Sequence, residues 1–209
     1  MIPADEALRR LREGNRRFVD GVRHGAPSRE VRPADLVAGQ EPFAIILGCS
    51  DSRVPAELVF DQGLGDLFVI RVAGNIVAPS QVGSVEFAAA RFGTRLVVVL
   101  GHSQCGAVLA TLEDLAEPAR DTSRNIRSIV NRIRPTVAGL MSTELARDPA
   151  ALARAAVRAN VRASADHLRH GSALLEGLID NEGLVVVGAE YALETGEVDF
   201  FDDLSLPPR

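Results

Sequence analysis

Lysine is missing from this sequence altogether: every one of its 23 basic residues is Arg. Without Lys there is no Schiff-base amine and no phosphate-gripping side chain of a P-loop, so two large enzyme classes are excluded together. Cysteine is scarce. Cys49 and Cys105 are the only two, too few for a disulfide scaffold, and they suggest a reducing compartment. No apolar run reaches the 18 residues or so that a membrane-spanning helix needs. Met1 to Phe18 is charged and amphipathic and lacks the apolar stretch of a signal peptide, so the expected location is cytoplasmic. Positive charge is not in excess either. The formal net charge of -5 argues against nucleic acid or an anionic membrane as the main partner.

What the chain does have is a globular composition, 46% hydrophobic and 24% charged. Its 209 residues are enough for one self-sufficient core. One domain over 1–209 is expected, with an N-terminal helix and arm over 1–35 and an α/β core over 36–209. Asp5 to Val19 sets Leu8, Leu11 and Phe18 among charged residues, a helical pattern with a polar face. Gly21 to Pro33 is polar with two prolines and reads as an arm or loop.

Four short apolar runs follow without alternation: Phe43 to Leu47, Leu67 to Val72, Leu96 to Leu100 and Leu184 to Val187. That is the pattern of strands buried on both faces. Helical patterns lie between them at Ser80 to Phe92, Ala107 to Leu115, Asn125 to Leu145 and Pro149 to His170. Tyr191 to Phe201 reads as strand, Glu-Thr-Gly turn, strand. The fold class is α/β: about four parallel strands and an antiparallel edge strand, flanked by helices.

Two places share a local grammar. Ile45-Ile46-Leu47-Gly48 runs into Cys49, and Val98-Val99-Leu100-Gly101 runs into His102, each a buried strand, a Gly and then a potential metal ligand. Functional groups gather at the carboxyl ends of parallel strands, so neighbouring strands here would aim both side chains into one crevice. Cys105 follows three residues after His102, within reach of the same ion. Two thiolates and an imidazole suit Zn²⁺, and three protein ligands leave the fourth position open, as in catalytic rather than structural zinc sites. Cys105 also precedes a helix starting at Gly106, whose N-terminal dipole favours a thiolate. The bland alternative is two Cys acting as small buried hydrophobes; a cystine between them would leave His102 without a role.

Asp51 and Arg53 share the short loop after Cys49 and are close enough for a charge-assisted pair. Beside an ion, a carboxylate either binds the metal and blocks its open position or accepts a hydrogen bond from bound water. Arg53 would decide between these by holding Asp51 off the metal. Without a metal the same pair reads as a turn-capping Asp and a surface Arg.

Cys-Ser-Asp-Ser-Arg-Val at 49–54 with Gly-His-Ser-Gln-Cys-Gly-Ala-Val at 101–108 closely resembles the β-class carbonic anhydrases. The similarity extends through Gly65 to Arg71, Ala73-Gly74-Asn75, Glu13 to Phe18, and Val187-Gly188-Ala189 with its Thr195-Gly196 turn. The resemblance implies one Zn²⁺ per chain on Cys49, His102 and Cys105, and a catalytic dyad of Asp51 and Arg53, with Asp51 as fourth ligand in a closed state. It places Gln40, Phe68, Phe87 and Gly106 in the substrate pocket, Phe87 standing where many relatives have Tyr. It also implies a homodimer or homotetramer with the active site near the dimer interface.

The reaction so implied is reversible hydration of CO₂ to bicarbonate and a proton, by attack of zinc-bound hydroxide that Asp51 and Arg53 orient. Phe68 and Phe87 would supply an apolar wall, and Gln40 a polar contact. Rival readings stand beside it. A dinucleotide-binding oxidoreductase, suggested by Gly63-Leu64-Gly65, fails because the segment precedes a strand and Phe68 replaces the third Gly. A metal-free thiol enzyme built on Cys49 makes no use of His102 and Cys105. A non-enzymatic zinc or bicarbonate-binding module, or a relative acting on a CO₂-like molecule such as carbon disulfide, would keep the same ligands. His24, His167 and His170 are the other histidines, and the last two read as solvated helix residues.

Overall fold

The computed structural model describes residues 2–22, 36–37, 39–117 and 123–201. The expected arm from Gly21 to Pro33 falls outside them beyond Val22, as does His24.

All four apolar runs form strands. They are β1 (Ala44–Gly48), β2 (Leu67–Arg71), β3 (Leu96–His102) and β4 (Val185–Tyr191), joined by a short β5 (Val198–Phe200). The sheet order is β2-β1-β3-β4-β5, parallel through the first four and antiparallel at β4–β5. Every residue of β1 and β3 is buried, which explains why neither shows a polar alternation. The hairpin into β5 turns over Glu194-Thr195-Gly196, where the Gly196 N–H donates to the Ala192 carbonyl.

Seven helices flank the sheet among the described residues: α1 (Ala4–Val19), α2 (Ala56–Val59), α3 (Pro79–Arg91), α4 (Gly106–Ala116), α5 (Arg124–Val137), α6 (Pro149–His170) and α7 (Ala173–Glu182). None is long and apolar enough to cross a membrane. Alternation along the strands divides the core. Ile46, Val98 and Leu100 face Leu8, Leu11 and Phe60 on one side; Ile45, Leu47, Val97 and Val99 face Val85, Val161 and Leu168 on the other. A third cluster, around Cys49, Cys105, Ile76, Val108 and Ile133, closes the carboxyl end of the sheet.

The sequence pattern ran one helix from Asn125 to Leu145, but α5 stops at Val137. Beyond it the chain tightens into 3₁₀ turns at Ala138–Ser142 and Glu144–Arg147, divided at Thr143, whose hydroxyl accepts from the Leu145 N–H. Apolar spacing continues through this stretch, so periodicity alone does not register the break. Pro149 then opens α6 with Asp148 capping it, its carboxylate accepting from the Ala150 and Ala151 amides at 2.9 and 3.0 Å. His167 and His170 are exposed on α6.

Two residues near the N-terminus fix α1 in place. A Cβ on Gly14 would lie 1.8 Å from the Phe60 carbonyl oxygen, so the helix meets the chain after α2 at a distance only Gly allows. Asn15, buried next to it, donates to the Val59 and Gly196 carbonyls at 3.1 and 2.8 Å and accepts from the Val198 N–H at 2.8 Å. One side chain thus joins α1, α2 and the β5 hairpin.

Candidate metal centre

Strand order reverses between β1 and β3. From β1 the chain crosses to β2 on one side and then returns to place β3 on the other. At such a switch point the loops after the two strands part and leave a crevice. Gly48 pairs with Leu100 across it, so Cys49 leaves β1 beside the end of β3, where His102 stands. Cys105 is the N-cap of α4, and a Cβ on the following Gly106 would meet nothing within 4 Å, so this flank is open.

The Sγ atoms of Cys49 and Cys105 and a ring nitrogen of His102 all lie within 4.8 Å of one another, with all three residues buried. The sulfurs are 4.0 Å apart and both cysteines are free thiols. Two sulfurs bound tetrahedrally at about 2.3 Å from zinc stand about 3.8 Å apart, so the observed spacing fits. His102 Nδ1 lies 2.8 Å from the Ser103 carbonyl oxygen, which can only accept; Nδ1 therefore carries the proton. That leaves a lone pair on Nε2, and Nε2 is buried without a hydrogen-bond partner. An orphaned imidazole nitrogen facing two thiols is what a metal-ligand set requires.

Electrostatics point the same way. The hydrogen bond from Cys105 makes Cys49 the first of the pair to ionise, lowering its pKa against the opposing effect of burial. Cys105, facing that thiolate, is pushed up. Burial alone would lower His102, but the adjacent Cys49 sulfur and its negative charge outweigh it, and the net shift is upward. The pocket is thus set up to receive positive charge.

Asp51 and Arg53 meet as expected. Arg53 Nε donates to Asp51 Oδ1 at 2.9 Å and Nη2 to Oδ2 at 2.7 Å, with the Arg53 backbone N–H adding a third bond to Oδ1 at 2.9 Å. The bidentate grip holds the Asp51 carboxyl well below its usual range. Asp51 Oδ2 stands 3.8 Å from His102 Nε2, at the rim of the three-ligand set.

The remaining expected residues stand elsewhere. Phe68 pairs with Ile45, three positions before the Arg71–Gly48 pair at the end of the ladder. Its ring lies 6.2 Å from Phe87 and 6.0 Å from Phe92, and Phe87 is 54% exposed. Gln40 is exposed on the segment leading into β1. Phe68 packs with the cluster on the α3 side of the sheet rather than with the cluster that holds Cys49 and Cys105.

Several supporting groups had no role assigned from the sequence. Arg71 reaches from β2 to bond the Cys49 and Asp51 carbonyls at 3.0 and 2.6 Å, fixing the loop that carries both. The Gly74 N–H donates to Cys49 Sγ at 3.4 Å. Glu194, in the β5 hairpin, accepts from the side chains of Ser103 and Gln104, the residues between His102 and Cys105. The clearest sequence signal among these is Gly74-Asn75, a dipeptide suited to left-handed backbone; the others depend on contacts across the sheet.

Comparison with known proteins places these features in a family. The family model described as "Carbonic anhydrase" matches residues 44–198. "Carbonic anhydrase 2" of Mycobacterium tuberculosis is 38% identical over 199 residues, covering 95% of this chain and 93% of that protein. A carbonic anhydrase of Pseudomonas aeruginosa is 35% identical over 219 residues, covering 91% and 89%. Among solved structures, a β-carbonic anhydrase from Sordaria macrospora, described as tetrameric, superposes with a TM-score of 0.72 at 25% identity, covering 81% of this chain and 85% of its own. The β-carbonic anhydrase CafA of Aspergillus fumigatus gives 0.71 at 26% identity, covering 81% and 79%.

Proposed function

Since this chain belongs to the β-carbonic anhydrase family, we propose that it catalyses the reversible hydration of CO₂ to bicarbonate and a proton in the crevice between β1 and β3. The observation that carries this reading is the meeting of Cys49, His102 and Cys105 within 4.8 Å beside a carboxylate already gripped by Arg53. The three would hold one zinc ion per chain, the imidazole through Nε2. When bound, zinc makes a water molecule acidic enough to attack CO₂ near neutral pH.

The chain's own groups do the rest. Asp51, ionised and accept-only, takes a hydrogen bond from the attacking water and so fixes where its lone pair points. Arg53 occupies both Asp51 oxygens and would keep the carboxylate from binding the ion itself. Arg71 holds the backbone of the same loop, so Cys49 and Asp51 keep a constant relation to each other. Burial of the three donors keeps bulk water from them, and the flank by Gly106 would leave room for a small substrate.

Gln40, Phe68 and Phe87 are assigned to the substrate pocket as residues that a second chain brings to the site. Phe87, exposed in an aromatic group with Phe68 and Phe92, is the surface that second chain covers in a homodimer or homotetramer. The substrate is a small molecule, with no nucleic acid or membrane involved. Thiols that must stay reduced to hold metal fit a cytoplasmic location.

The test pairs zinc content with stopped-flow CO₂ hydration from pH 6 to pH 9. Zinc near one per chain and a rate that climbs with pH are expected. A metal-free preparation that hydrates CO₂ at full rate overturns the reading.

A further inference from the structure

Between β2 and α3 the chain makes a tight 3₁₀ turn over Ala73–Asn75 in which two consecutive residues are left-handed, Gly74 at φ 70° and Asn75 at φ 42°. Gly74 has no freedom to be anything else, since a Cβ there would lie 2.8 Å from Ile133 Cδ1 and 3.0 Å from the Ala107 Cβ. The outcome of this conformation is that the Gly74 N–H points at Cys49 Sγ. Gly adopts this backbone freely and Asn tolerates it, so what holds the turn in place is what its carbonyls meet.

Those partners come from α6, far away in sequence. Asn160 Nδ2 donates to the Gly74 carbonyl at 2.8 Å, and Ser164 Oγ donates to the Asn75 carbonyl at 3.0 Å. The two side chains are four residues apart, on one face of the helix, and both are buried. A polar pair in the interior of an otherwise Ala- and Val-packed helix face is costly unless its bonds matter. The two bonds take consecutive carbonyls of the turn and fix the orientation of the Gly74 peptide, whose N–H meets the sulfur.

We propose that Asn160 and Ser164 are positioning residues for the metal-binding thiolate: they clamp the turn by its carbonyls and so keep the Gly74 N–H on Cys49 Sγ. The proposal rests on the zinc reading above. An N–H···S bond fixes the direction of the sulfur lone pairs and shares its negative charge, so the clamp governs how firmly Cys49 holds the ion. Neither residue touches the metal position or the substrate.

The experiment compares Asn160→Ala, Ser164→Ala and Ser164→Thr with wild-type protein in two readouts. One is the zinc dissociation constant by chelator competition. The other is hydrogen exchange at the Gly74 amide, taken relative to the amides of Ile46 and Val98 in the same chain, which report overall stability. Asn160→Ala should weaken zinc about tenfold and Ser164→Ala about threefold, with Gly74 exchange accelerated relative to the reference amides in both. Ser164→Thr keeps the hydroxyl, in a residue that borders a cavity of about 570 Å³, and should restore both readouts. A purely structural role would slow or speed all amides together and leave no selective effect at Gly74.

If Asn160→Ala does not fold, Ser164→Ala carries the comparison alone. Folded variants with wild-type zinc affinity, and with Gly74 exchange keeping step with Ile46 and Val98, overturn the proposal. Wild-type protein that binds no zinc overturns the functional reading instead, and selective acceleration at Gly74 then decides the clamp independently.

Discussion

Asp51 Oδ2 lies 3.8 Å from His102 Nε2, yet both Asp51 oxygens already accept from Arg53. The carboxylate is close enough to compete for the metal and is kept from it by a neighbour two residues away.

Removing the guanidinium should therefore disable the site without emptying it. Arg53→Ala is expected to lower CO₂ hydration about a hundredfold while zinc content stays near one per chain. Stopped-flow rates with metal analysis on the same sample check it; a variant at wild-type speed contradicts the role given to Arg53.

Loss of a ligand should have the opposite signature. Cys105→Ser and His102→Ala each leave two donors where three met, so zinc content should fall well below one per chain along with activity. Thiol labelling of the chelator-treated wild type after unfolding should then find both Cys49 and Cys105 unlinked, since both are free thiols.

Acid should leave the Asp51–Arg53 pair intact over most of the accessible range. Arg53 holds the Asp51 pKa below its ordinary 3.8, so the folded chain binds that proton less tightly than the unfolded one. The pair's contribution to stability is complete above the ordinary value and is lost only as pH falls through the depressed one. The Asp51 carboxyl carbon shift in an NMR titration should stay flat from pH 7 to pH 4. A midpoint near 5 would show that the grip does not operate in solution.

Gly14→Ala tests how α1 is seated. The added carbon would meet the Phe60 carbonyl oxygen, a backbone atom that cannot retreat without lifting the helix from α2, and would displace the Gln62 side chain. A loss of about 3 kcal/mol is expected, or a Tm lower by about 6–12 °C, read by thermal melting.

How far the sequence disclosed all this depends on which interactions are local. The doubled strand-Gly-ligand pattern at Cys49 and His102 was legible because strands buried on both faces are written as unbroken apolar runs, and ligands placed at their ends follow. The Asp51–Arg53 pair was legible because the two residues share one short loop. α7 was not, although Ser172 caps it and Gly183 at φ 70° ends it; ten residues with mixed polarity give too little periodicity beside the long pattern of α6. Arg71, Asn160 and Ser164 were out of reach for another reason. Each acts on a backbone carbonyl in a distant segment, and a carbonyl has no sequence identity to read.

The β5 hairpin has a consequence in time as well as space. Glu194 grips Ser103 and Gln104, and the Ser103 N–H pairs with the Tyr191 carbonyl of β4, so the loop between two of the donors is braced by the final quarter of the chain. Asn15 ties that same hairpin to the first helix. During synthesis the three donors emerge long before this brace exists. A chain stopped before β4 would carry all three donors without this brace, and it is expected to hold a metal ion more loosely.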